Sequence, residues 1–243
     1  MQREAFELFG ITVYWYGILF AGGFFAAVIH WTILGKREGR APELASDLAL
    51  WLMIGGVVGA RAAYVIANIN DYAQNPAAVF RIWEGGLVYY GGLIGGTLLT
   101  IFMLKRRGED LLPIGDFIFT ALPLGHAFGR LGCHLNGCCY GAPTDFFWAI
   151  TFEGELVHPT QLLEVTFNMI LYVILLRLYL RNKVPGRIMA TYLLSYPLFR
   201  FLVEYLRGDG RLTTGPFDAA QYVSMTLLAI GIFLWVKTKP REA

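Results

Sequence analysis

Side chains that can do chemistry are concentrated in one short stretch, residues 125–141, which reads Gly-His-Ala-Phe-Gly-Arg-Leu-Gly-Cys-His-Leu-Asn-Gly-Cys-Cys-Tyr-Gly. It contains all three cysteines of the chain, Cys133, Cys138 and Cys139, together with Arg130. A thiolate is a nucleophile and a metal ligand, and a guanidinium binds phosphate or carboxylate groups. We therefore expect a functional site at this stretch.

The cysteines allow three interpretations. In the first, Cys133 and Cys138 are small packing residues, as free cysteines often are. Alternatively, Cys133 forms a disulfide with Cys138 or Cys139 in an oxidising compartment. In the third interpretation a thiolate with a pKa lowered by Arg130 acts as a covalent relay, or the thiols bind a metal with His134. Because the spacing matches no common zinc signature, we expect no metal and no cofactor.

A second polar group lies near the end of the sequence Ser-Tyr-Pro-Leu-Phe-Arg-Phe-Leu-Val-Glu, residues 195–204. The i, i+4 spacing places Tyr196, Arg200 and Glu204 on one face of a helix. Glu204 either neutralises Arg200 as a structural pair or belongs to a polar site. Pro197 leaves a backbone carbonyl free one turn earlier in this helix.

These residues must be positioned by membrane-spanning helices. The chain of 243 residues is 56% hydrophobic and only 16% charged, whereas soluble chains are about 25% charged. A bilayer requires about 20 mostly apolar residues per helix. Such blocks lie at 11–34, 44–66, 87–104, 111–130, 159–180, 188–207 and 218–236. We predict an all-α, polytopic helical bundle of about seven spans that forms one membrane-embedded domain, residues 1–243, with a polar outer segment at 131–158.

Orientation follows from the basic residues, which are enriched in cytoplasmic loops. Four segments, at 35–43, 105–110, 181–187 and 237–243, contain twelve of them: Lys36, Arg37, Arg40, Lys105, Arg106, Arg107, Arg181, Lys183, Arg187, Lys237, Lys239 and Arg241. The alternate segments and the N-terminus contain only Arg3, Arg81 and Arg211. Seven spans with the N-terminus outside and the C-terminus cytoplasmic place all basic loops on one side. Nothing in the sequence indicates nucleic-acid binding.

Five arginines remain within or at the ends of the predicted spans. For Arg177 and Arg207, near span ends, we expect side chains that extend to the headgroups. Arg61, Arg130 and Arg200 are expected to face a polar cavity, because a charge within a bilayer is costly. Several arginines in an apolar cavity suit a phosphate, and in a membrane the phosphate at hand belongs to a phospholipid.

Glycine pairs surround these positions, at 55–56, 85–86, 91–92 and 95–96, with Gly59 before Arg61. Small residues at such spacing allow helices to pack closely, and they also allow a ligand to approach the backbone. Both interpretations are compatible. The glycine clusters, the arginines and the cysteine stretch fall toward the outer half of their spans.

Taken together, the motifs resemble those of the prolipoprotein diacylglyceryl transferase family over nearly the whole chain. The similar segments read Tyr-Trp-Tyr-Gly at 14–17, Gly-Ala-Arg-Ala-Ala-Tyr at 59–64, Trp-Glu-Gly-Gly at 83–86, Gly-Gly-Leu-Ile-Gly at 91–95, Gly-Arg-Leu-Gly at 129–132 and His-Pro-Thr-Gln-Leu at 158–162. Single residues that match are Asn136, Gly141, Glu164, Tyr196, Arg200 and Glu204. The family's seven-span topology, with the N-terminus outside, agrees with the charge pattern.

The resemblance implies an enzyme of the bacterial cytoplasmic (inner) membrane with its active site toward the outer side. It would transfer diacylglyceryl from phosphatidylglycerol to the lipobox cysteine of a prolipoprotein signal peptide and release glycerol 1-phosphate, among membrane lipids. The implied catalytic residues are Arg130, Arg200, Glu204 and Tyr90. The implied substrate-binding residues are Arg130, Tyr16, Arg61, Asn136, Gly141 and Tyr196.

The sequence departs from the family pattern at Tyr90, where histidine is usual, and at Cys133 and Cys138, which replace asparagine and glutamate. Tyrosine titrates near pH 10, so it is a weak base at neutral pH, and His126, His134 or Glu204 is an alternative base. Two further functions stay open: a related membrane transferase with another acceptor, or a non-catalytic phospholipid-binding or transport protein.

Overall fold

The structure is a computed structural model that describes residues 3–8, 11–181, 184–208 and 216–238. Lys183, Arg211, Lys239 and Arg241, used above for orientation, lie outside these ranges. The chain forms two compact units. Unit 1 comprises Met1–His30 and Leu112–Ala243, and unit 2 comprises Trp31–Leu111. The prediction of a single domain stays a prediction.

The described part of the protein is mostly helical, and it is membrane-embedded. Helix α1 spans Trp15–Arg37, α2 Leu44–Ala67, α3 Ile69–Gln74, α4 Tyr89–Arg106, α5 Leu111–Phe119, α6 Leu122–Asn136, α7 Thr160–Arg181, α8 Arg187–Val203 and α9 Ala219–Lys237. Strands β1 (Glu4–Leu8) and β2 (Ile11–Tyr14) pair antiparallel, as do β3 (Ile150–Phe152) and β4 (Glu155–Val157).

Five helical segments in these ranges are long and apolar enough to cross a membrane: Trp15–Arg37, Leu44–Ala67, Leu111–Asn136, Thr160–Arg181 and Ala219–Lys237. The two remaining predicted blocks are helices as well. Helix α4 has 18 residues and α8 has 17, which at about 1.5 Å per residue gives roughly 26 Å each. The count of seven spans stays a prediction.

Two predicted boundaries differ from the structure. The first span begins at Trp15 rather than at residue 11, because the β-branched run Ile11-Thr12-Val13 pairs with β1. The fourth block consists of α5 and α6, and α6 continues to Asn136. The helix ends there because Gly137 adopts a left-handed φ of 71°. The polar segment therefore begins at residue 137, and Cys133 is helical.

Unit 1 is organised around an apolar cluster between α7 and α8. Leu171 and Leu175 of α7 pack there against Ile188, Tyr192 and Leu193 of α8. Tyr196, one turn after Tyr192, also packs against this cluster. Burial of these side chains fixes the rotation of α8 about its axis, and the i, i+4 row that begins with Tyr192 and Tyr196 continues to Arg200 in the site described below.

Asp116 of α5 fixes the beginning of α8. Its carboxylate is buried and accepts hydrogen bonds from the backbone N–H groups of Gly186 (2.7 Å) and Met189 (2.8 Å). A carboxylate at a helix N-terminus satisfies N–H groups that have no partner within the helix. This cap and the apolar cluster together fix where α8 begins and how it packs on α7, and they thereby fix the position of Arg200 along the helix axis.

Unit 2 is built on the close packing of α2 against α4. A Cβ atom added to Gly59 would lie 2.3 Å from the carbonyl oxygen of Gly91, and one added to Gly55 would lie 2.6 Å from that of Gly95. Only glycine permits this backbone contact. Close packing, the first of the two interpretations of the glycine pairs, is confirmed here.

Candidate active site

The cysteine stretch folds into a tight turn at the end of α6. Gly137 is left-handed, and Cys139 also has a positive φ, 64°, which is uncommon for a residue with a side chain. The backbone N–H of Cys138 donates to the carbonyl of Cys133 at 3.1 Å. This double reversal brings the Sγ atoms of Cys133, Cys138 and Cys139 within 4.8 Å of one another, and all three are free thiols.

The first residues of α7 hold this turn from the other side. The Thr160 hydroxyl donates to the carbonyl of Cys139, and the Gln161 amide donates to the carbonyl of Cys138, both at 2.8 Å. The side chains of Thr160 and Gln161 are buried. The carbonyl groups of the turn are therefore fixed away from water, which stabilises the position of the sulfur atoms.

Arg130 lies on α6 beside the turn and is paired with Glu164 of α7. The distance from Arg130 Nε to Glu164 Oε2 is 2.9 Å, and the side chains are 21% and 1% exposed. The side chain of Tyr196, on α8, also hydrogen-bonds to the guanidinium. Arg130 is thus fixed by residues from two neighbouring helices.

Arg200 and Glu204 form a buried ion pair at the end of α8, as the i, i+4 spacing predicted. Arg207 Nε lies 3.6 Å from the other carboxylate oxygen of Glu204, and its side chain is only 3% exposed. The expectation that Arg207 extends to the headgroups is therefore wrong. The 3₁₀ turn Glu204–Leu206 that follows α8 directs Arg207 inward, and Glu204 compensates its charge.

Gly141 connects the cysteine turn to this arginine group. Its N–H donates to the carbonyl of His158 at 3.0 Å, and it forms a β-bridge with Arg207. A Cβ atom at Gly141 would lie 2.4 Å from the His158 carbonyl oxygen and 2.8 Å from that of Leu206. Glycine is required at position 141, because the backbone at His158 and at Leu206 approaches too closely for any side chain.

The two cysteines beyond α6 have opposite electrostatic environments. A hydrogen bond from Cys133, a hydrogen bond and charge from Arg207 and the charge of Arg130 lower the pKa of Cys139 to about 4. Burial, followed by the negative charge of Cys139, raises the pKa of Cys138 above its ordinary value. Asn136 acts in the opposite direction, through a side-chain hydrogen bond to Cys138. Cys139 is therefore the more acidic of these two thiols.

Tyr16 and His126 complete the surroundings of Arg130. Tyr16, in the first turn of α1, lies against Gly132 and interacts electrostatically with Arg130 and the cysteines. The His126 ring packs on Tyr196 with centroids 4.7 Å apart. Its Nδ1 lies 2.9 Å from the hydroxyl of Tyr192. Seven of the predicted site residues thus belong to unit 1: Tyr16, Arg130, Asn136, Gly141, Tyr196, Arg200 and Glu204.

Arg61 and Tyr90 lie in unit 2. Arg61 is 7% exposed and donates to the carbonyl groups of Ala78 (2.6 Å), Val79 (2.9 Å), Gly85 (2.7 Å) and Gly86 (3.2 Å). Every guanidinium nitrogen is occupied, which favours a role in holding the segment 78–86. Tyr90 is 37% exposed in the first turn of α4. The predicted roles of both residues in the site stay predictions.

The fold supplies partners that the sequence does not reveal. Glu164 contacts Arg130 and Arg207 contacts Glu204, and neither is among the predicted site residues. Thr160 and Gln161, which support the turn, are not among them either. One signal was available, because Glu164 is an acidic residue within an apolar block and must have a partner there. Its identity depends on how α6 and α7 pack.

Comparison with known proteins identifies the family of this chain. The prolipoprotein diacylglyceryl transferase family matches residues 3–237. The chain belongs to this family. Among curated proteins, the phosphatidylglycerol–prolipoprotein diacylglyceryl transferase of Finegoldia magna is 35% identical, over 98% of this chain and 96% of its own. Those of Clostridioides difficile (36%; 97% and 95%) and Clostridium tetani (33%; 97% and 97%) are similar over comparable lengths.

Proposed function

We propose that this protein transfers the diacylglyceryl group of phosphatidylglycerol to the lipobox cysteine of prolipoproteins and releases glycerol 1-phosphate. The observation that carries the proposal is a set of three arginines at one end of α6 and α8, Arg130, Arg200 and Arg207, here called the arginine group, of which Arg200 and Arg207 are buried and Arg130 and Arg207 both act on Cys139. The family membership of the chain extends over residues 3–237. The named activity of the relatives supplies the reaction. The arginine group supplies a place where it can occur.

The charges of this group suit a phosphodiester. Three guanidinium groups face two carboxylates, those of Glu164 and Glu204, so the five side chains carry one positive charge in excess. The phosphate of phosphatidylglycerol carries one negative charge. Guanidinium groups bind phosphate through paired hydrogen bonds and remain charged when they are buried. The two carboxylates hold the guanidinium groups in place before the lipid arrives.

In the reaction, the thiolate of the prolipoprotein attacks the glyceryl carbon that bears the phosphate ester. A C–S bond forms as the C–O bond breaks, and glycerol 1-phosphate leaves with the electron pair. Negative charge on the leaving oxygen is stabilised by Arg130 and Arg200, which is the electrostatic preorganisation on which many enzymes depend. Glu204 positions Arg200, and Tyr196 positions Arg130.

The remaining predicted residues have supporting roles in this proposal. Gly141 and Asn136 hold the turn beside the arginine group, and Tyr16 covers Arg130. Tyr90 is proposed to act at the substrate thiol in place of the usual histidine. Arg61 holds the segment that precedes α4.

The proposal places the protein in the cytoplasmic membrane with seven spans, the N-terminus outside and the site toward the outer face. Support comes from the basic residues, twelve of which fall in four alternate segments. Helices α4 and α8 would be the two additional spans. An outward-facing site suits a protein substrate that reaches the enzyme after export.

Purified protein incubated with phosphatidylglycerol and a lipobox peptide tests the function. We expect a thioether-linked diacylglyceryl peptide by mass spectrometry and an equal amount of glycerol phosphate. Arg130→Lys and Arg200→Lys should each reduce the rate by about 100-fold, comparable to the loss of one donor from an oxyanion hole. Arg81→Gln is the matched control, since the Arg81 side chain is exposed and pairs with the exposed Glu84.

Absence of both products, while Arg130→Ala still abolishes binding of the phospholipid, would contradict the transferase and leave a lipid-binding protein. Tyr90→His and Tyr90→Phe test position 90 separately. Loss of activity in both variants would assign the tyrosine hydroxyl a role. A gain in Tyr90→His would show that tyrosine limits the reaction.

A further inference from the structure

The three thiols of the turn converge more closely than packing or a disulfide requires. Every pair among the Sγ atoms of Cys133, Cys138 and Cys139 lies within 4.8 Å. A disulfide joins two sulfur atoms and needs no third. Small packing residues need no left-handed cysteine, yet Cys139 has a φ of 64°. An unusual backbone conformation that is held by its surroundings often marks a functional position.

We propose that Cys133, Cys138 and Cys139 form a binding site for a soft divalent metal ion of the zinc type. This proposal departs from the expectation of no metal, because the turn brings together sulfur atoms whose spacing in the sequence matches no zinc signature. Zinc–sulfur bonds are about 2.3 Å long, so three thiolates around a tetrahedral ion lie roughly 3.8 Å apart. Sulfur atoms already within 4.8 Å need to move by less than about 1 Å to reach that geometry. A fourth position remains for water or another ligand.

Hydrogen bonds to the backbone of the turn hold the three cysteines in place before a metal binds. Thr160 and Gln161 fix the carbonyl groups of Cys139 and Cys138 at 2.8 Å each. The Cys133 carbonyl accepts the N–H of Cys138 at 3.1 Å. Hydrogen bonds around a site that orient its ligands typically contribute 10–100-fold to metal affinity. Because these contacts hold the backbone of the turn, little further ordering is needed when a metal binds.

Charge also favours an anionic metal complex here. Zinc with three thiolates carries one net negative charge, and both Arg207 and Arg130 interact with Cys139. The side chain of Arg207 is 3% exposed, so its interaction with Cys139 is little screened by water, and it shares its charge between Cys139 and Glu204. Soft thiolate ligands select zinc, cadmium or copper(I) over magnesium and calcium.

Metal titration of the reduced protein in detergent, without phospholipid or peptide, tests the site independently of the proposed reaction. Cadmium(II) and zinc(II) are the probes, with a chelator as competitor. Because these are the only cysteines of the chain, a cadmium–thiolate charge-transfer band can arise only here. We expect one equivalent bound, and for each Cys→Ser variant a loss of affinity of about 100-fold or more.

The triple variant Cys133→Ser, Cys138→Ser, Cys139→Ser should bind no metal at the site. Glu153→Gln is the matched control for binding to exposed carboxylates, since Glu153 is 70% exposed, and it should leave the affinity unchanged. The proposal is overturned if the reduced protein shows no thiolate band. It is also overturned if one of the three serine variants binds as tightly as the parent protein. Mass spectrometry of the unreduced protein detects a disulfide, and binding that appears only after reduction supports the site.

Discussion

Glu204 is the residue on which the charge balance of the site depends. Its carboxylate contacts Arg200 and Arg207, and the three side chains are 5%, 8% and 3% exposed. Charges this far from water need compensation within the protein. Glu204 therefore stabilises the protein and positions the phosphate-binding arginines at the same time.

Replacing Glu204 by glutamine should lower the free energy of unfolding by about 3 kcal/mol, because two buried guanidinium groups lose their counter-charge. Thermal unfolding in detergent measures the change. Glu153→Gln, which removes an exposed pair with Arg3 at 4.0 Å, should be within about 0.5 kcal/mol of the parent protein. Equal stability of the two variants would show that the buried contacts contribute little.

The cysteines of the turn should differ in their reaction with iodoacetamide in reduced, metal-free protein. Thiolates react and thiols do not. The pKa of Cys139 is lowered to about 4, so its rate should be nearly constant from about pH 6 to 8. The pKa of Cys138 is raised, so its slower rate should increase roughly tenfold per pH unit. Peptide mass spectrometry separates them, and a parallel increase at both would contradict the assignment.

At the scale of elements, different interactions position the helices of the two units. In unit 2, α2 and α4 meet through the backbone of Gly59 and Gly91, and the Cβ atom of Ala63 also lies against Gly91. In unit 1, α8 is fixed by an apolar cluster with α7 and by the Asp116 cap. The first arrangement tolerates no added atom, whereas side chains in an apolar cluster can adjust to small changes.

Gly59→Ala should lower the stability of the protein by about 1–3 kcal/mol, because the new methyl group would overlap the carbonyl oxygen of Gly91 at 2.3 Å. Thermal unfolding in detergent measures it. Gly56→Ala is the matched control on the same helix. Its Cβ atom would meet its nearest neighbour, the carbonyl oxygen of Gly92, at 3.9 Å. The control should be neutral or slightly stabilising, and similar losses in both variants would argue against the close contact.

At the scale of the whole molecule, the structure describes helices in all seven predicted apolar blocks, and five segments meet the length and composition of a span. The orientation rests on the basic residues, since a membrane-embedded chain is placed by the charges of its loops. Reporter fusions can therefore test the proposed topology directly.

A fluorescent protein fused after Gly108, in the basic segment 105–110, should fold and fluoresce, because that segment is proposed to be cytoplasmic. Alkaline phosphatase, which is active only outside the cytoplasm, should be active when fused after Asp145 in the segment 137–158. The controls exchange the two reporters: alkaline phosphatase after Gly108 should be inactive, and the fluorescent protein after Asp145 should not fluoresce. Active phosphatase after Gly108 would contradict the orientation, and with it the outward-facing site.

The sequence by itself determined the membrane environment, the helical class, the family resemblance and the pairing of Arg200 with Glu204. Each of these follows from residue type and short-range spacing, as the confirmed contact between Arg200 and Glu204 illustrates. Only the tertiary structure decided the inward position of Arg207, the pairing of Arg130 with Glu164 and the convergence of the three sulfur atoms. Such contacts depend on helix packing and on left-handed residues in one turn, which neither composition nor periodicity specifies.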